Sequence, residues 1–263
     1  MRDNFIVNEL LSTKEKVFNH DWSKFKIVSK EGHKCPIEIN FPDKSLEGHL
    51  YLKHHLFYEL EKKFNNKEIE LLIKDCSWII NNWGDIEFDL TKQQNKEIIL
   101  NFLEKIYNNK VIFEQLNEYR IISSLSKVAS FCRPEKYAIY DSKAVISLNW
   151  LLIKYAIKNN KVEDTLIFPQ PPGLSKILRS SNLETLCNLS KYNFKKYQQE
   201  EKYKEYCAFL KNLSNKMYEK LDTKSEFKNW PYLAEMFLFL YSDLKVGELE
   251  KDIRKSISVS FNF

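Results

Sequence analysis

Residues 124–148 read SLSKVASFCRPEKYAIYDSKAVISL, and the reading of this stretch decides the fold. Its first part, with the residues before it (EYRIISSLSKVASF, 118–131), spaces apolar side chains three and four apart, the period of a helix face. Pro134 biases Arg133 away from helical dihedrals, so the helix is predicted to end near Phe131. Asp141 stands before a second apolar run and can accept from the free amides of a helix start, which predicts a further helix over 142–158. Lys127 then lies about one turn from the end of the first helix, and Asp141 caps the second. Folding the two ends together turns the amine and the carboxylate toward one cleft, with Tyr137, Ile139 and Tyr140 supplying apolar surface around the join.

Working outward, helical spacing continues in HLFYELEKKF (55–64), KEIELLIKDCSWII (67–80) and TKQQNKEIILNFLEKIY (91–107), the last with Thr91 as its expected cap. Further helices are predicted over 173–180, over 194–220 with a break, over 231–244 with Pro231 in the first turn, and over 247–257. Only FKIVS and PIEINF, between Phe25 and Phe41, look like strands. The class expected is all-α, with a minor strand segment near the N-terminus. Residues 1–53 read as an N-terminal extension and 54–263 as a helical body. Pro169, Pro171 and Pro172 make 162–173 the main internal connection, where two lobes would join.

Hydrophobic residues are 43% of the chain, with 18 Phe, 14 Tyr and 5 Trp, which excludes a disordered chain. The formal net charge of +5 comes mostly from lysine, a point charge suited to phosphate, so nucleic acid is allowed as a partner but not demanded. The 5 cysteines are odd in number and lack paired spacing, so neither a disulfide framework nor a thiolate zinc site is indicated, and a reducing cytoplasm is the expected location. The start MRDNFIVNELL is not of secretory type, and no apolar run approaches a membrane span, so no membrane partner is expected.

The Lys127 and Asp141 pair has two readings. As chemistry, a lysine whose pKa is depressed by an apolar wall is a nucleophile toward a sugar C1′, and a neighbouring carboxylate stabilises positive charge on the sugar as its bond breaks. As architecture, Asp141 is an ordinary cap and Lys127 a cation complementing the macrodipole of its helix.

The order S-K-V-A, short connection, Y-D-S at a helix start resembles the lysine-and-aspartate segment of the helix-hairpin-helix DNA glycosylases, the superfamily of 8-oxoguanine glycosylase and endonuclease III. The resemblance covers about 25 residues, and Ala129 completes the K-x-A pattern. It implies a two-lobed helical architecture and a DNA glycosylase with abasic-site lyase activity, acting in DNA repair on a flipped damaged or modified base without a cofactor. Lys127 would be the nucleophile and Asp141 its activator. Carried over with it are DNA contacts at Ser124, Ser126, Arg133 and Lys143, and a base pocket at Trp83, Tyr137 and Tyr140. Two glycines usual before the lysine, which let a hairpin backbone approach phosphate, are replaced by Ser123 and Leu125. The alternative is therefore a noncatalytic DNA-binding or protein-interaction module on the same scaffold, in a defence system for instance.

Other features divide similarly. SWIINNWGDI (77–86) offers Trp83 to a flipped base, or else is a helix end with Trp78 in the core and Gly84 beyond it. PPGLSKILRSS (171–181) can give Ser175 and Lys176 to a phosphate, or be an ordinary helix after a proline turn. His33, Cys35, His49, His54 and His55 crowd one region without metal-ligand spacing, so no metal is expected, and His54 and His55 are predicted to begin a helix. The lysine-interleaved Tyr192, Tyr197, Tyr203 and Tyr206 suit either a stacking surface or a half-buried helix.

Overall fold

The structure, a computed structural model, describes residues 1–22, 45–110, 113, 120–171, 194–197, 202–222, 225–245, 247–249 and 251–252. It is mainly helical, in the order α1 (Arg2–Leu11), α2 (Lys14–Phe18), α3 (Leu46–Asn65), α4 (Ile69–Ser77), a π-helical segment (Trp78–Trp83), α5 (Gln93–Tyr107), α6 (Ile122–Cys132), α7 (Ser142–Lys158), β1 (Leu166–Ile167), β2 (Lys195–Lys196), α8 (Lys202–Leu221) and α9 (Tyr232–Leu244).

The centre is α9. Its sequence YLAEMFLFLYSDL is apolar nearly all round, and such a helix must be covered on every side. α7 and α8 form its main contacts, and α1 and α2 pack against it as well. Phe237, Leu238 and Tyr241 are wholly excluded from solvent, and each large apolar side chain buried in this way contributes roughly 1.5–3 kcal/mol. On the other side α3 packs against α4 and α6, while α5 lies on α4 and α6.

The helices flanking the Arg-Pro turn form where their sequence directs. Arg133, held before Pro134, adopts φ −145° and ψ 70° and ends α6. Asp141 is the N-cap of α7, its carboxylate accepting from Lys143 N at 2.7 Å. Ser45 caps α3 in the same way, through Gly48 N.

Several expectations are corrected. Thr91 does not cap α5; the helix begins at Gln93, and both the amide and the hydroxyl of Thr91 turn back to the Asp89 carboxylate in a local turn. His54 and His55 lie inside α3, which starts at Leu46. The 194–220 stretch opens not as helix but as β2, which pairs in parallel with β1 through Leu166 opposite Lys195. FKIVS and PIEINF, Ser175 and Lys176 lie outside the described residues. Ahead of them α1 is a helix whose Ile6, Val7 and Leu10 are fully buried, packed on α7 and α8. Residue 54 falls within α3, and one hydrophobic cluster runs from Ile6 to Leu249, drawing on both sides of the 162–173 connection.

Candidate functional site

Between α6 and α7 the chain passes through Ala138, Ile139 and Tyr140 outside any helix or strand, and side chains bond its backbone amides and carbonyls. Ala138 N donates to Cys207 Sγ (3.3 Å), Ile139 N to Glu235 Oε2 (2.8 Å) and Tyr140 N to Ser126 Oγ (2.9 Å). In return the hydroxyls of Tyr203, Tyr206 and Ser123 donate to the carbonyls of Ala138, Ile139 and Tyr140. A buried backbone amide or carbonyl left unpaired is costly, and here side chains from α6, α8 and α9 together satisfy these groups. Asp141 follows directly, so its carboxylate is positioned from both sides.

Lys127 and Asp141 line one cavity of about 200 Å³, together with Trp22, His49, Trp83, Gly84, Glu235 and Phe239. Lys127 is 5% exposed, and its amine donates to Ser123 O at 3.1 Å. Burial pushes its pKa below the ordinary lysine value, opposed by attraction from Asp141 and then from Glu235. The alkyl chain of Lys127 runs against Gly84. That approach follows from the π-helical segment, which adds a residue to the turn and carries Gly84 N to Ile79 O. Asn81 secures it by bonding both the N–H and the C=O of Phe88.

Aromatic rings form the wall. His49 stacks on Trp83 with centroids 5.4 Å apart and on Trp22 at 6.1 Å. Trp83 Nε1 donates to His49 Nε2 at 2.7 Å, while His49 Nδ1 bonds the Tyr232 hydroxyl. An indole can only donate, so Nε2 carries the lone pair and the imidazole is neutral. Burial, with Lys53 nearby, takes the His49 pKa down to about 3.

Glu235 and Lys53 are the buried charges that sequence reasoning missed. They are 3% and 1% exposed, with Lys53 Nζ 3.7 Å from Glu235 Oε1, an ion-pair distance too long for a hydrogen bond. Lys53 also lies over the rings of Tyr232 (4.6 Å) and Phe131 (5.4 Å). Burial pushes the Glu235 carboxyl above the usual carboxylate range. The signal was present, since Glu235 is a lone acid within AEMFLFLY, and Lys53 follows His49 by one helical turn.

The remaining expected site residues are placed elsewhere. Ser126 is fully buried as the acceptor for Tyr140 N, and Ser124 is buried too, so neither presents surface to a phosphate. Arg133 pairs with Glu61 at 2.6 Å and lies over the Tyr107 and Phe57 rings. Lys143 pairs with Asp243 at 2.7 Å and lies over Phe239. Tyr137 and Tyr140 do not line this cavity: Tyr137 faces Tyr203 and Tyr140 bonds Pro169 O. Ser123 and Leu125, at the positions of the missing glycines, are helical within α6, and Leu125 is fully buried.

Among the described residues no cluster of three His, Cys, Asp or Glu is disposed to hold a metal ion, and no helix is long and apolar enough to cross a membrane. None of the protein-family models, curated proteins or solved structures compared with the chain matches it.

Proposed function

We propose that the chain is a DNA glycosylase with abasic-site lyase activity, acting on a flipped damaged or modified nucleotide. The observation that carries this reading is that Lys127 and Asp141 line one aromatic-walled cavity, the lysine amine pushed toward its neutral, nucleophilic form by burial. Extruding a base costs a few kcal/mol, least for a damaged or mispaired one, which favours such substrates.

In this reading the lone pair of Lys127 Nζ attacks C1′ as the bond from C1′ to the base nitrogen breaks, its electron pair leaving with the base. Asp141 stabilises the positive charge that develops on the sugar. The new C1′ ammonium passes a proton to O4′ as the C1′–O4′ bond breaks, opening the sugar to an iminium; a C2′ proton is then lost to water as the 3′ phosphate leaves with its bonding pair, and water adds to C1′ to free the lysine. These steps are redox-neutral. With Ser123 and Leu125 helical, the phosphate grip has to come from elsewhere than a glycine hairpin.

Borohydride reduction in the presence of an abasic-site duplex tests the reading: a covalent protein–DNA adduct is expected, and it should vanish in Lys127→Ala and Lys127→Met. An undiminished adduct in folded variants, or none with the natural chain, sinks it. The helical Ser123 and Leu125 favour a second reading, a noncatalytic DNA-binding or interaction module; salt-dependent DNA affinity without any adduct would identify it.

A further inference from the structure

Trp22, His49 and Trp83 reach the cavity from three separate stretches: the chain after α2, α3 and the π-helical segment. Their hydrogen-bonding edges are all engaged within the protein. Trp22 Nε1 donates to Val17 O at 3.0 Å, Trp83 Nε1 donates to His49 Nε2 at 2.7 Å, and His49 Nδ1 bonds the Tyr232 hydroxyl. An indole has one donor and no acceptor, and an imidazole has two ring nitrogens, so this wall keeps no polar group for an occupant. It keeps ring surface. Trp22 and His49 are 7% and 4% exposed, whereas Trp83 retains intermediate exposure and is the ring with a surface to offer.

We propose that this wall reads the occupant by stacking alone: Trp83 takes one face of a planar base, and His49 is the positioning residue that sets the plane of its ring. The role rests on the glycosylase reading and narrows its substrates to nucleotides with a planar, unsaturated base. Three helices fix the indole. His49 from α3 lies within 16° of the Trp83 plane and accepts its N–H, so tilt and rotation are both set, and Tyr232 from α9, 1% exposed, holds His49 in turn. Phe131 from α6 meets the same indole at 79°, with centroids 4.9 Å apart. Gly84, the next residue after Trp83, lies against the stem of Lys127, so the ring that takes the base and the lysine that takes C1′ are neighbours. The cavity of about 200 Å³ is below the 300–1,000 Å³ or so of drug-sized ligand sites, which suits a single base.

Stacking distinguishes bases by their π faces and not by their edges. Uracil and 5,6-dihydrouracil carry the same hydrogen-bonding groups at the same ring positions, but saturation of C5–C6 puckers the dihydro ring and removes part of its π face. A pocket that hydrogen-bonds the base edge treats the two alike, whereas a flat indole does not.

The test is equilibrium binding, by fluorescence anisotropy, of labelled duplexes carrying one base or the other on a 2′-fluoroarabino sugar, whose fluorine slows cleavage. The two bases differ in their own ease of extrusion, so the affinity ratio of uracil to dihydrouracil is compared between the natural chain and its variants, which cancels the contribution of the DNA. The ratio should fall at least about fivefold in Trp83→Leu, the lower end of what stacking one base on one ring contributes, and as far in His49→Ala. His49→Gln, whose amide can accept from Trp83 and donate to Tyr232, should keep most of it. Urea melts check folding, and if His49→Ala does not fold, Trp83→Phe, which keeps a ring without the N–H, replaces it with the same expected fall. A smaller fall in folded Trp83→Leu overturns the proposal, as does a natural chain that binds neither duplex. A ratio kept by His49→Ala or its replacement, or lost as fully by His49→Gln, overturns the positioning role. A natural chain that shows the ratio but traps no abasic site overturns the glycosylase reading instead.

Discussion

Gly84 and Lys127 are in direct contact: a Cβ at position 84 would come 2.5 Å from Lys127 Cδ and 2.7 Å from Cε. The φ of Gly84 is −83°, within reach of any residue, so glycine is required by close approach and not by backbone conformation. Gly84→Ala must therefore displace the lysine stem or the π-helical turn, since Ile80 O lies only 2.6 Å from the same Cβ. A misplacement near 1 Å costs about 100-fold in a well-oriented reaction, so trapping at abasic DNA is expected to fall by roughly that factor. Trapping by Gly84→Ala at the natural rate would show that the lysine does not need its present course.

Asp141 is both a cap and a cavity group, and two substitutions separate the roles. Asparagine caps a helix about as well as aspartate, whereas alanine costs about 0.5–2 kcal/mol. Asp141→Asn should leave the urea midpoint almost unchanged while slowing base release at least about 100-fold, and Asp141→Ala should lose both. An active Asp141→Asn would reduce the residue to architecture.

Ser126 tests the clamp on the connecting segment. Ser126→Ala removes the acceptor of Tyr140 N in a region without solvent, and a buried unpaired amide costs about 1–3 kcal/mol. Denaturation should register a loss of that size, and a loss below about 0.5 kcal/mol would mean that the segment relaxes to another partner.

His49 governs the acid limb of stability. Its folded pKa, about 3, lies below the ordinary 6.5, so the unfolded chain binds more protons between those values. Stability is fully present above pH 6.5 and is lost as pH falls toward 3, by at most about 1.4 kcal/mol per unit from this one group. Glu235, with a raised pKa, has the opposite slope above 4.5, so the wild-type curve alone is not diagnostic. The difference between wild type and His49→Gln, measured by urea denaturation from pH 4 to 7, isolates the histidine. Parallel curves would rule out a neutral buried imidazole.

Much of the scaffold was legible because local signals agreed with the tertiary answer. The span of α7 follows from Asp141 and the apolar period behind it, and the end of α6 follows from Pro134. Thr91 misled because Asp89, two residues earlier, competes for the same amide and hydroxyl. The apolar positions Ile6, Val7 and Leu10 were spaced for a helix but stand close to a chain end with few punctuating signals. At the site, Lys127 and Asp141 lie on adjoining elements and could be paired by eye. Glu235 comes from more than ninety residues later in the sequence, and only packing brings it to Ile139. That Tyr137 and Tyr140 lie away from the cavity lined by Lys127 was not legible, because period alone does not say which side of a connection faces a cavity.

The segment from Ala138 to Tyr140 has the backbone of a connection, and its hydrogen-bond partners are six side chains from three helices. A strand in a sheet can slip by register or peel from an edge, because its neighbours are repeating backbone. This segment has no register to slip into: a thiol, a carboxylate and hydroxyls from different helices do not repeat along the chain. Its three amides should therefore resist hydrogen exchange until α6, α8 and α9 separate, making Asp141 as slow to move as the core itself.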